Sequence, residues 1–304
     1  MDGSKEELVR VICGPTGAGK TAAALALAAE RDLVIISADS RQLYRGFDVG
    51  TAKPSTESQV AVPHRGIDVL DPVERASAAW WADAADAWIE EAEKGQRTPL
   101  VVGGTGLYLR ALFAPLFAEP ALDPAQRTAI QQHLDGLSTD ELRRWALALD
   151  PPRARFGRTQ LLRAVEIALL TGRPLSALHS ENVRPPRRAA RYLVIDPGPS
   201  LAEHIAARTR TMLDGGWPAE VEGLIARVPP DAPAWNASGY RAVREMVEGR
   251  ISRREAEERI VIETRQYAKR QRTWFRHQLA GADVTRLSPA AAGWQDAARL
   301  WWDA

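Results

Sequence analysis

Eight residues near the amino end, Gly14-Pro15-Thr16-Gly17-Ala18-Gly19-Lys20-Thr21, restrict the fold more than any other stretch. The apolar lead-in through Val9, Val11, Ile12 and Cys13 predicts a strand, and the Ala/Leu-rich run from Ala22 to Ala29 predicts a helix. A Gly-x-x-x-x-Gly-Lys-Thr turn between a strand and a helix points successive backbone N–H groups into one concavity at the positive end of the helix. In that setting Lys20 reaches the outer phosphates of a diphosphate or polyphosphate, and Thr21 offers its hydroxyl to a magnesium ion. Gly14 and Gly19 leave room for phosphate oxygens, because a Cβ at either position would obstruct their approach. The loop from Gly14 to Thr21 is therefore an anion cradle that does not select the carrier of the anion.

Composition narrows the class by exclusion. At 304 residues, 45% hydrophobic and 26% charged, the chain can bury a full core. The single cysteine, Cys13, rules out an internal disulfide and a cysteine-rich zinc site, and its place at the end of an apolar run predicts burial. Met1-Asp2-Gly3-Ser4-Lys5-Glu6-Glu7 is too charged for a secretory signal, and no apolar run approaches the ~18 residues of a membrane span, so a cytoplasmic protein with no membrane partner is expected. A net charge of +1 conceals a skew. Lysine occurs only at positions 5, 20, 53, 94 and 269, which leaves 35 of the 40 cationic residues as arginine. Phosphate recognition and a GC-rich genome both produce such an excess, so position has to decide.

Leu33-Val34-Ile35-Ile36-Ser37 is a short continuous apolar run of the kind that forms a strand covered on both faces. Asp39-Ser40-Arg41-Gln42 follows at once. In an open parallel sheet this is the carboxyl end of a strand, where ligands bind, although an aspartate there also serves as a helix cap. The segment from Leu43 to Pro54 lacks a clean period and predicts an ordered loop over the site. His64 is either a ligand contact or a loop-packing residue. A helix from about Ala76 to Glu93 would bury Trp80, Trp81, Trp88 and Ile89. Pro99-Leu100-Val101-Val102 predicts a further buried strand ending in a second glycine turn, Gly103-Gly104-Thr105-Gly106. A motor-type ATPase would close that strand with an acid that helps hold magnesium. Glycines stand there instead, and Asp39 is the one well-placed carboxylate. Group transfer to a bound acceptor fits this pattern better than hydrolysis driving motion, and a small-molecule kinase shares it.

From 120 to 190 helical pieces are punctuated by Pro124, Pro151, Pro152, Pro174, Pro185 and Pro186, with no strand signal. The expected architecture is α/β, a P-loop NTPase-like parallel sheet flanked by helices with an all-helical insertion domain: core 1–119, insertion 120–190, and a return to the core with C-terminal helices over 191–304. Between residues 140 and 191, eleven arginines against five acids leave +6, which favours a polyanionic partner over a merely solvated face. The last long helix, about Arg253 to Leu279, carries Arg265, Lys269, Arg270, Arg272 and Arg276 with no acid from Thr264 onward. Four of these share one face, and phosphate groups are the simplest neighbours that relieve their repulsion. Trp294, Trp301 and Trp302 are expected to pack.

Six strings in order, GPTGAGKT (14–21), ADSRQLYRGFDVGTAKP (38–54), PHRGID (63–68), VVGGTGLYLRAL (101–112), SGYRAV (238–243) and TRQYAKRQRTWFR (264–276), make the chain closely resemble the tRNA dimethylallyltransferases, or tRNA isopentenyltransferases, over essentially its whole length. The resemblance implies transfer of a dimethylallyl group from dimethylallyl diphosphate to the exocyclic amine of the adenine 3′ to a tRNA anticodon, with magnesium. On the matching positions it implies Asp39 as general base and Thr105 beside the same adenine as catalytic residues. It further implies Ser40, Arg41 and Gln42 against the target nucleotide, Arg127 and Arg163 on the anticodon stem-loop, Gly239, Tyr240 and Arg241 on the tRNA side, and Arg265 on the diphosphate. A monomer is expected. The chain departs from the family pattern at Thr159 and Gln160, which replace a Gln-Arg pair before Arg163. An AMP-directed isopentenyltransferase is the alternative within prenyl chemistry, and a non-enzymatic RNA-binding protein using nucleotide as a switch stands further off.

Overall fold

The computed structural model describes residues 8–117, 122–181, 183–279, 281 and 283–304. The charged amino-terminal heptad and the expected 119/120 domain boundary lie outside the described residues. The chain divides into two compact units, Met1–Phe113 with Arg187–Ala304, and Ala114–Pro186.

The first unit begins as the periodicity predicts. Strand β1 (Val9–Cys13) feeds the glycine loop and helix α1 (Lys20–Ala28), and β2 (Leu33–Ser37) is buried at every position. Helix α2 (Thr56–Ala61) and the two-residue strand β3 (His64–Arg65) follow the long loop. Helix α3 (Ala78–Lys94) starts on Ser77, whose hydroxyl accepts the Trp80 N–H, and buries Trp81 and Ile89 on one face. Trp80 is not core: it lies on the opposite side of the helix, 37% exposed. Strand β4 (Thr98–Gly103) then runs through the second glycine turn into α4 (Gly106–Phe113).

The inserted unit opens with strand β5 (Leu116–Phe117), continues through helices α5 (Pro124–Asp135), α6 (Thr139–Leu149), α7 (Arg158–Thr171) and α8 (Leu175–Glu181), and closes with β6 (Val183–Arg184). Strands β5 and β6 pair antiparallel, so the unit is helical only between its two ends, a correction to the all-helical expectation. Two-residue strands give no periodic signal, which is why the sequence hides them. Ser138 and Glu141 form a reciprocal capping box at the start of α6, and Leu134, Leu142, Leu161 and Val165 make the unit's own core.

The chain re-enters the first unit before the expected residue 191. The Arg187 N–H donates to Leu112 O at 3.0 Å, ahead of strand β7 (Ala190–Ile195). Helices α9 (Leu201–Asp214), α10 (Trp217–Ile225), α11 (Tyr240–Val247) and α12 (Arg253–Gln278) follow, then β8 (Val284–Leu287) and α13 (Trp294–Asp303). The six-stranded sheet runs β3-β2-β4-β1-β7-β8 and every pair is parallel. Ile12, Ile35, Leu100 and Leu193 of the sheet pack with Leu27 of α1 and with Trp301 and Trp302 of α13, so the terminal tryptophans are core residues. Because β4 lies between β1 and β2, the chain skips a place after α1. The crevice left at the carboxyl ends of these strands is the place where open parallel sheets bind ligands.

Candidate active site

The phosphate loop is shaped by its neighbours. Gly14 has φ +149°, and a Cβ there would sit 2.1 Å from the backbone oxygen of Ile195, so β7 admits only glycine at the end of β1. Gly19 takes φ 89° at the amino cap of α1, a left-handed conformation that suits a residue without a Cβ. Lys20 Nζ donates to Pro15 O at 2.9 Å, holding the ammonium over its own loop. From α9, Arg208 donates to the Thr16 hydroxyl at 3.2 Å.

Asp39 lies at the end of β2, across β4 from that loop. Its carboxylate accepts the Arg41 N–H at 2.9 Å, a local turn that fixes the side chain. Gly103, at the end of β4, explains the missing acid there: a Cβ would fall 2.2 Å from Ala38 O, so the two strand ends can meet only through glycine. Thr105 bridges the same junction. Its N–H donates to Ala38 O at 3.0 Å, its hydroxyl accepts the Ser40 N–H at 3.0 Å, and the Tyr267 hydroxyl of α12 bonds its side chain. Gln42 is tied inward, accepting from the Ser37 hydroxyl at 2.9 Å and donating to Thr51 O and Ala52 O.

Lys20, Thr21, Asp39, Gln42, His64, Gly103 and Arg208 line one cavity. A second cavity, lined by Arg41, Trp217, Ser238, Thr264 and Tyr267, meets the first at Thr16, Asp39, Thr51 and Arg208. The charges are coupled across the junction. Burial pulls Lys20 down from 10.5 to about 8, while Asp39 opposes that pull and Arg208 adds to it. Burial also lowers Arg208, with Asp39 again opposing. Burial and then the Asp39 charge push the Tyr267 phenol up to about 12, so it stays neutral. Cys13 is buried, and burial raises its thiol to about 12, consistent with a packing role.

The structure moves several expected residues. Arg265 lines neither cavity: it is exposed on α12 in a separate depression with Pro199, Lys269 and Arg272, and Arg208 occupies the place by the loop. The Tyr240 side chain is fully buried, donates to Glu220 Oε1 at 2.6 Å and packs on Phe47 and Trp217, so in this structure it is a core residue. Gly239 is glycine because a Cβ would meet the Trp217 ring at 2.5 Å. Arg241 is exposed and donates to Asn236. In the inserted unit Arg127 and Arg163 both grip the buried carboxylate of Glu166, at 2.8 and 3.6 Å. His64 packs through Nδ1 against Val62 O at 2.6 Å.

Sequence reasoning missed Arg208 and Tyr267. Arg208 carries no motif. Tyr267 sits in TRQYAKRQRTWFR, where only the cations form a countable pattern.

Fold and cavities define a P-loop α/β protein in which an anion cradle faces one carboxylate at the meeting of two cavities. Residues 42–278 match the model of IPP transferase, and residues 7–65 match that of isopentenyl transferase. The tRNA dimethylallyltransferase of Acaryochloris marina is 38% identical over 295 residues, 94% of this chain and 96% of that protein. A solved tRNA isopentenylpyrophosphate transferase from Bacillus halodurans is 31% identical with TM-score 0.63, covering 93% of this chain and 90% of its own. A eukaryotic dimethylallyltransferase solved acting on tRNA shares the fold at TM-score 0.76 and 23% identity, over 94% of this chain and 75% of its own. The chain belongs to the IPP transferase family, the tRNA dimethylallyltransferases.

Proposed function

We propose that this chain transfers a dimethylallyl group from dimethylallyl diphosphate to the N6 amine of the adenine 3′-adjacent to the anticodon in tRNA. The observation that carries the reading is that Asp39 and Arg208 line both cavities where they meet, with Lys20 in the first of them. The diphosphate would lie on the loop, with the acceptor base in the cavity of Arg41, Ser238 and Tyr267. The N6–carbon bond forms as the carbon–oxygen bond to diphosphate breaks, and the N6 proton passes to the Asp39 carboxylate. An aryl amine becomes strongly acidic on alkylation, so a carboxylate suffices as base. Negative charge grows on the leaving diphosphate, where Lys20, Arg208 and the first-turn amides of α1 stabilise it more than the ground state.

Thr21 lines the cavity beside the phosphate loop, and its hydroxyl, together with diphosphate oxygens and water, would hold magnesium. Magnesium would neutralise charge on the diphosphate. In a single-stranded anticodon loop, turning the adenine out of its stack costs little. Ser40, Arg41, Thr105 and Arg241 are the core residues assigned to RNA contact, and a cytoplasmic monomer accords with the reading.

Incubating the protein with labelled dimethylallyl diphosphate and unmodified tRNA, AMP, or ATP plus small hydroxylic acceptors tests it. Label should enter tRNA with one diphosphate released per transfer. Label confined to AMP, or phosphate transfer from ATP, would replace the reading with one of its rivals.

A further inference from the structure

Gln271 is 6% exposed on α12 and makes two long-range hydrogen bonds. Its Oε1 accepts the backbone N–H of Thr16 at 2.8 Å, and its Nε2 donates to the backbone oxygen of Gly104 at 2.8 Å. One carboxamide therefore ties together the phosphate loop after β1, the glycine turn after β4, and the last long helix. The fit is tight from both sides. A Cβ on Gly104 would stand 2.3 Å from Gln271 Nε2 and 3.1 Å from Gly14 O, so the second glycine turn is glycine partly because this carboxamide fills the space. One turn further on, Trp274 packs where a Cβ on Gly106 would fall, 2.3 Å from its ring.

We infer that Gln271 is a positioning residue for the diphosphate donor, setting the shape of the phosphate loop from outside it. The Thr16 amide is committed to Gln271 and the Thr16 hydroxyl to Arg208, so Thr16 serves as the fixed anchor of the loop. The chemistry requires this particular side chain. Thr16 N–H needs an acceptor and Gly104 O needs a donor, and among uncharged side chains of this length only glutamine supplies both at once. Leaving either backbone group buried and unpaired favours a loop that rotates to find another partner. A small displacement of a binding loop is enough to lose most of a ligand's affinity.

The inference rests on the loop binding the donor's diphosphate, and the assays separate the two claims. Gln271→Met keeps the length and removes both hydrogen bonds. Gln271→Glu keeps the acceptor, loses the donor and places a negative charge beside the anion. Both should raise the donor KM and the Kd for inorganic diphosphate by about 10- to 100-fold, with the tRNA KM unchanged, and the glutamate variant should be the worse of the two. Donor KM and diphosphate Kd within twofold of wild type would overturn the inference, as would equal rises in the two substrates' KM values, which mark a general packing role. Wild-type protein that binds no diphosphate at all would instead overturn the proposed function. Independently of either variant, the Thr16 amide of the unliganded wild type should exchange slowly with solvent deuterium, and fast exchange there would contradict the clamp.

Discussion

Lys20 is a cation that burial works against. Its folded pKa of about 8 lies below the ordinary 10.5, so the unfolded chain holds the extra proton between those values. Stability therefore rises with pH from about 8 to 10.5 as the buried ammonium is relieved, and below pH 8 the full penalty applies. Binding runs the other way, because a diphosphate needs the ammonium. The kcat/KM for the donor should fall above about pH 8, and Lys20→Arg, which cannot deprotonate there, should remove that alkaline limb; a limb unchanged by the substitution would assign it to another group. At this scale the position of Asp39 was legible because it follows an apolar strand at its carboxyl end, whereas Thr105 came only with the family resemblance. Arg208 was not, because one of 35 arginines gains its meaning only from burial beside Thr16 and Asp39. Tyr240 misled in the opposite sense. A residue inside a recognisable family string can be there for the core.

Helix α12 faces two ways, and the sequence disclosed one of them. Its cation spacing shows through because charge is countable along a chain. Arg265, Lys269, Arg270 and Arg276 are exposed with no ion pair among the described residues, while Arg272 is neutralised by Asp196 of the β7–α9 turn. The buried face, with Ile260, Ala268, Gln271 and Phe275, is defined by what docks on it, and no local pattern encodes a partner 167 to 255 residues away. The loop from 43 to 54 is ordered, as its sequence predicts, and the structure supplies the cause. Lys53 Nζ donates to Tyr44 O and Asp48 Oδ1, both at 2.6 Å, and Glu220 of α10 accepts the Asp48 and Val49 N–H groups at 3.0 and 2.7 Å. Glu220 also accepts the Tyr240 hydroxyl, so it joins loop to core. Glu220→Ala should lower stability by about 2–4 kcal/mol in chemical denaturation, because it leaves two amides and a buried hydroxyl unpaired; a loss under 1 kcal/mol would show that water replaces the carboxylate.

Across the whole chain the charge balance of the inserted unit depends on where that unit begins and ends. Residues 114–186 contain nine arginines and eight acids, a net of +1 where the window from 140 to 191 suggested +6. Arg187 and Arg188 belong to the other unit and pair with Asp83, Asp86 and Glu93 of α3. Within the inserted unit Arg143 pairs with Asp140 and Arg173 with Glu181, whereas Arg144 and Arg155 are exposed with no ion pair among the described residues. A count along a chain cannot tell a charge that meets solvent from one that meets its neighbour. Arg144→Ala with Arg155→Ala should therefore weaken tRNA binding and lower its salt slope by about 2, at unchanged stability. Arg163→Ala should act first through stability, losing about 1–2 kcal/mol because buried Glu166 gives up one counter-charge; a melting temperature equal to wild type would return Arg163 to the RNA interface alone.

The account depends on one carboxylate serving two cavities. Single-turnover transfer from dimethylallyl diphosphate to tRNA by Asp39→Asn, with the Kd of each substrate measured on the same protein, tests that most directly. The rate should drop by about 10²- to 10⁴-fold while both affinities stay within a few-fold of wild type. Transfer at the wild-type rate would remove Asp39 from the chemistry and contradict the reading of the junction between the cavities.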